Sequence, residues 1–309
     1  MEDVNRYLDL ATLDQFKSTK GKINYFSWGQ GPTIVFIHGL ADSKDAFVSI
    51  ASILSHKFRC IGLDIPKVVL GSSTKDQTLL DAYTDFIKDF IKTKVNSPVV
   101  LFGSSFGSTL SINLASQTPE SVSGLILQGG FVHRPLNLVE RCSAFIASLF
   151  PFNGATFPYL EFVMKHQHYH AFHGKPSYRW ERLVKSVSSA YFSTTGRLAA
   201  AINKIDLRQK ASDIQKPVLL IDGELDPLIG PNIRKTLYDA FPHGEKVVIE
   251  GGGHLLPYSH PEEIAFHMTA FLNKVFPAIG YYQRCSSIWF ISLLSGISHG
   301  TEDTCYWNW

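Results

Sequence analysis

The chain alternates short apolar runs with longer segments in which apolar residues recur at helical spacing. Most runs are continuously apolar, which is typical of strands buried on both faces of a parallel sheet. A more polar run at Lys22–Trp28, just before a Gly-rich turn, predicts an additional exposed strand. The continuous runs are Thr33–His38, Arg59–Asp64, Pro98–Gly103, Gly124–Gln128, Pro217–Asp222 and Lys246–Glu250.

Two of the intervening segments predict helices that pack on this sheet. One carries an apolar stripe formed by Leu79, Tyr83, Phe86, Ile87, Phe90 and Ile91. The other begins at Pro261, which two acidic residues follow, as at many helix N-termini. Its predicted buried stripe is Ile264, Met268, Phe271 and Val275. Strands that alternate with such helices predict an α/β fold with a doubly wound, mostly parallel sheet.

One connection is far longer than a parallel crossover requires. Residues 131–212 separate two predicted strands and contain helical patterns rich in aromatic residues and histidine. An insertion at the carboxyl edge of a sheet lies over the usual ligand crevice, so we interpret this segment as a helical cap. The predicted organisation is a core of residues 1–130 and 213–276, a cap of residues 131–212, and a C-terminal tail of residues 277–309 without an assigned role.

The cap pattern predicts where its large apolar side chains lie. Leu138, Val139, Cys142, Phe145, Ile146 and Leu149 form one helical stripe. We interpret the cap aromatics mainly as the cap's own core, with some of them lining an apolar acyl pocket. These aromatics are Phe131, Phe145, Phe150, Phe157, Tyr159, Phe162 and Trp180.

Composition and charge exclude several classes of protein. An apolar content of 45% excludes a mainly disordered chain, and a formal net charge of +2 gives no electrostatic case for nucleic acid as a partner. The four cysteines match neither a disulfide scaffold nor a zinc motif.

No apolar run approaches the roughly 20 residues that span a bilayer, and the acidic start does not resemble a signal peptide. We therefore expect a cytoplasmic protein whose apolar tail could self-associate or touch a membrane surface.

The clearest chemical signal lies where one apolar run ends and a helical segment begins. Gly103-x-Ser105-x-Gly107 has the spacing of a nucleophile elbow, a strained strand–turn–helix that needs small residues two positions on either side of the nucleophile. Bulky residues occupy those positions around Ser104 and Ser108, which argues against both as nucleophiles. Ser105 is therefore predicted to stand at a helix N-terminus, where backbone N–H groups face developing negative charge.

A serine hydroxyl needs a base, and the base needs an orienting acid. Of the 12 histidines, His254 has the best context, because it follows a predicted strand through three glycines. His260 is interpreted instead as a residue at a helix start. Asp226 lies in the turn after another predicted strand, 28 residues before His254, and we prefer it to Asp222 and Glu224 as the acid.

Two backbone donors are expected to bind the oxyanion. One is the N–H of Phe106, which directly follows the nucleophile. The other is the N–H of Leu40, in the loop after a predicted strand, where Gly39 permits close approach.

Together these motifs resemble the α/β-hydrolase superfamily, in its capped group. The resemblance covers about residues 20–276 and rests on His38-Gly39-Leu40, Gly103–Gly107, Gly223–Asp226 and Gly252-Gly253-His254. It implies a serine hydrolase that cleaves a carboxylic ester of a small or apolar substrate, without a cofactor or metal. The alternatives are a C–C bond hydrolase with the same triad, and a ligand-binding or scaffold member that turns over slowly.

A histidine-rich tract in the cap raises the question of a metal site. His166, His170 and His173 have a spacing that would place them on one face of a helix. No acidic cluster in the nearby sequence would complete a ligand set, so we interpret the tract as a polar surface of the cap.

Overall fold

The computed structural model describes residues 9–18, 21–66 and 76–277. In this part of the chain eight strands form one sheet in the order β1-β2-β4-β3-β5-β6-β7-β8. The strands are β1 (Thr12–Ser18), β2 (Gly21–Trp28), β3 (Thr33–Ile37), β4 (Arg59–Leu63), β5 (Val99–Ser104), β6 (Val122–Gln128), β7 (Val218–Gly223) and β8 (Glu245–Ile249). The pairings from β4 to β8 are parallel, and β1 and β2 are antiparallel.

Helices cover both faces of this sheet. Helices α2 and α3 contribute to the core on one face, and α1 and α11 contribute to the core on the other. The helices are α1 (Val48–Leu54), α2 (Asp76–Phe90), α3 (Phe106–Gln117), α4 (Leu138–Leu149), α5 (Leu160–His168), α6 (Ser177–Ser189), α7 (Phe192–Ile202), α8 (Arg208–Ser212), α9 (Pro231–Ala240), α10 (Leu256–Ser259) and α11 (Pro261–Val275).

The doubly wound, mostly parallel sheet predicted from the sequence is confirmed. Each of the seven predicted strands appears within about two residues of its expected ends. The prediction missed β1, because Phe16 is the one residue of that edge strand that is buried and its pattern lacks regular alternation. The predicted helix at Pro261 is α11, whose Ile264, Met268 and Phe271 are fully buried.

Helices α4 to α8 lie between β6 and β7 and include the cap helices. Side chains on one face of α6 bond this region to the core. Arg179 donates to the Ser259 carbonyl and pairs with Glu262. Arg182 donates to Ser49 Oγ at 3.1 Å. Residues three and four apart share a helix face, so these bonds fix the orientation of α6.

The interpretation of the cap aromatics as cap core is wrong for most of them. Phe131 and Trp180 are buried, but the others are solvent-exposed, and the predicted stripe of α4 also faces solvent. The exposed aromatics are Phe145, Phe150, Phe157, Tyr159 and Phe162. The stripe of α4 faces solvent because the opposite face of the helix carries small residues, which pack against a glycine on the neighbouring helix. The predicted tail lies outside the described residues, except for Pro277 at its start.

Candidate active site

The polar residues singled out in the sequence follow adjacent parallel strands of the sheet. In spatial order, β3 leads into the loop with Leu40, β5 into Ser105, β7 into Asp226 and β8 into His254. Strand β6 lies between β5 and β7. Because parallel strands end at the same edge, the topology gathers these loops at one crevice.

Ser105 occupies the strained turn that the sequence predicted. Its φ and ψ angles are 53° and −118°, outside the regions that serine normally adopts. A Cβ added to Gly103 would lie 2.5 Å from the Gly107 carbonyl oxygen, and one added to Gly107 would lie 2.0 Å from the Ile37 carbonyl oxygen. Side chains at either position would therefore collide with backbone, which explains the glycine spacing.

His254 and Asp226 form a buried hydrogen-bonded pair. His254 Nδ1 lies 2.7 Å from Asp226 Oδ2. The other carboxylate oxygen accepts the N–H groups of Leu228 and Ile229 at 2.8 and 2.9 Å. Burial raises the pKa of the Asp226 carboxyl, but the nearby His254 charge and these hydrogen bonds outweigh it and hold the pKa below its ordinary value. The acid is thus kept ionised and fixed in orientation.

The rejected alternatives have other partners in the structure. Asp222 accepts a hydrogen bond from Tyr238 Oη at 2.8 Å. Glu224 accepts the N–H of Gly251 at 3.0 Å. His260 is the residue before α11, and its ring contacts Ser259. The Glu224 bond links the turn that carries Asp226 to the loop that carries His254.

The loop after β3 lies directly against Ser105. A Cβ built on Gly39 would lie 3.0 Å from Ser105 Cβ and 3.6 Å from its Oγ. Phe106 is the first residue of α3, so its N–H has no carbonyl one helical turn earlier to bond. The two candidate oxyanion donors therefore lie close to the serine. Leu40 follows Gly39 in the loop after β3, and Phe106 follows Ser105 after β5.

His38 fixes the shape of this loop, a role that the sequence analysis did not assign. The Ile65 N–H donates to His38 Nε2 at 2.8 Å, which requires the proton of the neutral ring to be on Nδ1. Nδ1 then donates to the Gly39 carbonyl at 2.8 Å. Because that carbonyl belongs to the same trans peptide as the Leu40 N–H, the bond directs the N–H the opposite way.

Gln128 and Gly129, after β6, were also missed. The Gln128 carbonyl accepts the Ser105 N–H at 2.8 Å, and its side-chain amide donates to the His254 carbonyl at 3.0 Å. Its side-chain oxygen accepts the Ser104 hydroxyl at 2.7 Å. Gly129 has a φ of 52°, which favours glycine, and a Cβ there would lie 3.1 Å from His254 Nδ1, so the glycine leaves room for the imidazole. A glutamine ending an apolar strand was the available signal.

Asp42 joins the oxyanion-side loop to the cap and to the segment after His254. Its Oδ1 accepts the hydroxyls of Tyr258 and Ser186 at 2.6 and 2.9 Å and the Ser43 N–H at 2.8 Å. Burial raises the pKa of this carboxyl, although the hydrogen bonds from Tyr258, the Ser43 N–H and Ser186 oppose that rise. No pattern in the sequence indicated this junction, because Ser186 and Tyr258 lie 144 and 216 residues from Asp42 along the chain.

The cap approaches the His254 loop through its histidine-rich segment. Helix α5 ends at His168, so the three histidines of the tract do not share one helix. His170 lies 3.5 Å from a Cβ position built on Gly253. Burial, with a smaller contribution from the His254 charge, lowers the pKa of His168 to about 4. His168 is therefore a neutral neighbour of the His254–Asp226 pair near pH 7.

A cavity of about 910 Å³ lies between the cap and the core beside the predicted oxyanion donors. Leu40 and Phe106 line one side, and Thr194 and Leu198 of α7 line the cap side. Its volume is at the upper end of the range for small-molecule sites. The lining also includes Lys44 and Asp64, which form an ion pair.

Within the described residues, no helix combines the length and the apolar character needed to cross a bilayer. The same residues contain no cluster of three or more His, Cys, Asp or Glu side chains able to hold a metal ion.

Comparison with known proteins places this architecture in a family. The chain is similar to the uncharacterized hydrolase YugF of Bacillus subtilis, with 26% identity over 284 residues that cover 81% of this chain and 94% of the relative. It is also similar to a pimeloyl-(acyl-carrier protein) methyl ester esterase of Aliivibrio fischeri, with 23% identity and coverages of 80% and 95%.

The fold matches solved structures as well. An esterase from Thermogutta terrifontis superimposes with a TM-score of 0.70 at 18% identity, covering 86% of this chain and 98% of that one. The family model of the alpha/beta hydrolase fold matches residues 32–261, which include all the strand-end loops described above. The chain belongs to the alpha/beta hydrolase fold family, and its curated relatives include hydrolases and esterases.

Proposed function

We propose that the chain is a serine hydrolase that cleaves a carboxylic ester through an acyl-enzyme intermediate. The observation that carries the proposal is the strained φ of 53° at Ser105, on a turn whose N–H bonds the same Gln128 that bonds the His254 loop. Strain at a polar residue in a crevice indicates a functional constraint. The His254–Asp226 hydrogen bond supplies the second half of a catalytic triad.

The geometry supports a sequence of steps. With His254 Nδ1–H donating to Asp226, the free Nε2 takes the proton from Ser105 as its Oγ attacks the ester carbonyl. The Leu40 and Phe106 N–H groups bind the oxyanion, and His254 returns the proton to the leaving alcohol. Water then attacks the acyl-enzyme with His254 as base. Activity is lost when the imidazole is protonated, since an imidazolium cannot accept the serine proton.

The cavity beside the oxyanion donors supports an ester with a sizeable acyl or alcohol group. Its volume of about 910 Å³ exceeds the needs of an acetyl ester. Residues 131–212 act as the cap in this proposal, since Thr194 and Leu198 form part of the wall. We expect turnover of p-nitrophenyl esters to depend on acyl length, with activity beyond acetate.

The experiment that tests the mechanism labels the protein with a fluorophosphonate and locates the adduct by peptide mass spectrometry. Ser105→Ala should abolish labelling and lower ester hydrolysis by roughly 10⁴- to 10⁶-fold, as in other triads. Ser104→Ala is the matched control, because the neighbouring hydroxyl bonds Gln128 and is not the predicted nucleophile. It should retain the adduct on Ser105.

Four outcomes would contradict the proposal. An adduct on Ser104, or none on the folded protein, would remove Ser105 as nucleophile. An acyl adduct on Ser105 that never turns over would assign a ligand-binding protein. Cleavage of a diketone with no hydrolysis of any ester would assign a C–C bond hydrolase with the same triad.

A further inference from the structure

The outer face of α4, defined here as Leu138, Val139, Phe145, Ile146 and Leu149, is exposed to solvent along its full length. The relative exposures of these five side chains range from 54% to 75%. At 100° per residue they fall within about one-third of the helix circumference, so they form one continuous stripe. Large apolar side chains of a globular protein are rarely so exposed together, and such patches mark interaction sites.

The inner face of α4 explains why the stripe points outward. Of the twelve residues of α4, all of them described, only Ala144 is buried. A Cβ on Gly196 of α7 would lie 2.5 Å from both the Ala144 carbonyl oxygen and the Ser148 amide nitrogen. The two helices therefore meet backbone to backbone, and no space remains between them for Phe145 or Leu149. The stripe is fixed in place by this contact.

The net charge of the cap indicates which kind of surface the stripe of α4 contacts. Residues 131–212 contain eleven Lys and Arg against four Asp and Glu, a formal net charge of +7. The other 227 residues carry 18 and 23, a net charge of −5. Arg141 lies on α4 beside the stripe, and both it and Arg197 on α7 are exposed. An apolar helix face set in a strongly basic region matches a surface of anionic lipid headgroups over acyl chains.

We infer that the outer face of α4 is a peripheral membrane-binding site that lies in the interface of an anionic lipid bilayer. A dimer through this face would bring two regions of net charge +7 together, whereas anionic lipid neutralises that charge. Helix α7 contacts α4 through Gly196 and lines the cavity through Thr194 and Leu198. The lipid surface is thus one helix away from the cavity. The inference does not depend on the proposed chemistry at Ser105.

Vesicle flotation tests this inference with the full chain. We expect binding to vesicles of phosphatidylcholine mixed with phosphatidylglycerol, weak binding to phosphatidylcholine alone, and weaker binding as NaCl rises from about 0.1 to about 0.5 M. The double substitution Phe145→Gln and Leu149→Gln should lower partitioning about tenfold or more. Phe266→Gln is the matched control, because Phe266 is 72% exposed on α11 of the core. Its partitioning should equal that of the parent.

Two results of the flotation experiment would overturn the inference. One is no binding of the parent to anionic vesicles, and the other is equal binding of the double variant. Sedimentation velocity is run beside it. A concentration-dependent dimer that the double substitution abolishes, without vesicle binding, would assign the face to self-association instead.

Cys142 provides a second measurement, since it is exposed between the residues of the stripe, whereas Cys60 is buried. An environment-sensitive fluorophore is attached to Cys142 in a chain with Cys285→Ser and Cys305→Ser. We expect its emission to shift to the blue when anionic vesicles are added, and the shift to vanish in the double variant. An emission that is already blue without vesicles would show that another part of the chain covers the face, which would overturn the inference.

Discussion

Helices α11 and α4 carry similar apolar stripes, and the fold uses them in opposite ways. In α11, Ile264, Met268 and Phe271 are fully buried against the sheet. In α4, Phe145 and Ile146 are more than half exposed. Helical periodicity therefore establishes that each segment is a helix with an apolar face, and the opposite face of the helix decides whether that apolar face turns inward.

The difference lies in what each helix meets. Phe271 packs 3.4 Å from the Cβ position of Gly124 in β6, so a large side chain fills the space that a glycine leaves in the sheet. Gly196 of α7 faces Ala144 of α4, where both surfaces are small and the backbones touch. Large side chains are buried where the partner surface leaves room for them, and close backbone contact excludes them.

The largest expected effect tests this contrast directly. Phe271→Ala should lower the free energy of unfolding by about 3–5 kcal/mol, because it empties a packed site. Phe145→Ala should change it by less than about 0.5 kcal/mol, because that side chain is exposed. Urea unfolding followed by circular dichroism measures both. Similar losses for the two variants would show that Phe145 is buried in solution.

Gln128→Leu tests a buried polar side chain of the core, whose hydrogen bonds support the His254 loop. Its side chain bonds Ser104 and the His254 carbonyl, so we expect kcat for ester hydrolysis to fall about 10- to 100-fold, or roughly 1.4–2.7 kcal/mol. KM should change little, and circular dichroism should show an intact fold. Ser104→Ala removes only the first bond and should cost less. Unchanged kcat in Gln128→Leu would contradict the role of Gln128 as a support for His254.

Ser186→Ala probes the junction between cap and core. It removes one hydrogen bond to the buried Asp42, so we expect a loss of about 1 kcal/mol in the free energy of unfolding. Tyr258→Phe removes the corresponding bond from the core side. A double-mutant cycle with Asp42→Asn should show that the three effects are not additive. Additive effects would mean that the hydroxyls do not act through Asp42.

The last prediction concerns pH, where Asp226 and Asp42 should behave oppositely. The pKa of Asp226 is lowered on folding, so its contribution to stability is present above the unfolded pKa and is lost as pH falls through the folded value. Burial raises the pKa of Asp42, so its contribution is present below the unfolded pKa and is lost as pH rises through the folded value. Each slope is at most about 1.4 kcal/mol per pH unit.

Unfolding free energies of Asp226→Asn and Asp42→Asn, measured from acid to neutral pH, check these signs. The deficit of Asp226→Asn relative to the parent should shrink on acidification. The parent should lose stability relative to Asp42→Asn as pH rises. Parallel curves for either variant would contradict the corresponding shift.

The sequence by itself determined the parts of the protein that local physics dictates. Continuous apolar runs gave the buried strands, and the Gly103–Gly107 spacing indicated the turn at Ser105, because no larger side chain fits there. The placement of the Asp226 and His254 loops also followed, since parallel strands end at one edge. The edge strand β1 was not predicted, because a strand with one buried side chain shows no regular alternation of apolar and polar residues.

Only the tertiary structure decided what depends on contacts between distant segments. The bonds of Gln128 to Ser104 and His254, and those of Asp42 to Ser186 and Tyr258, join residues that no spacing rule connects. The outward direction of the α4 stripe belongs to the same class. Its pattern is that of a buried helix face, but the close contact of Ala144 with Gly196 leaves no volume for large side chains between the two helices, so the stripe faces solvent.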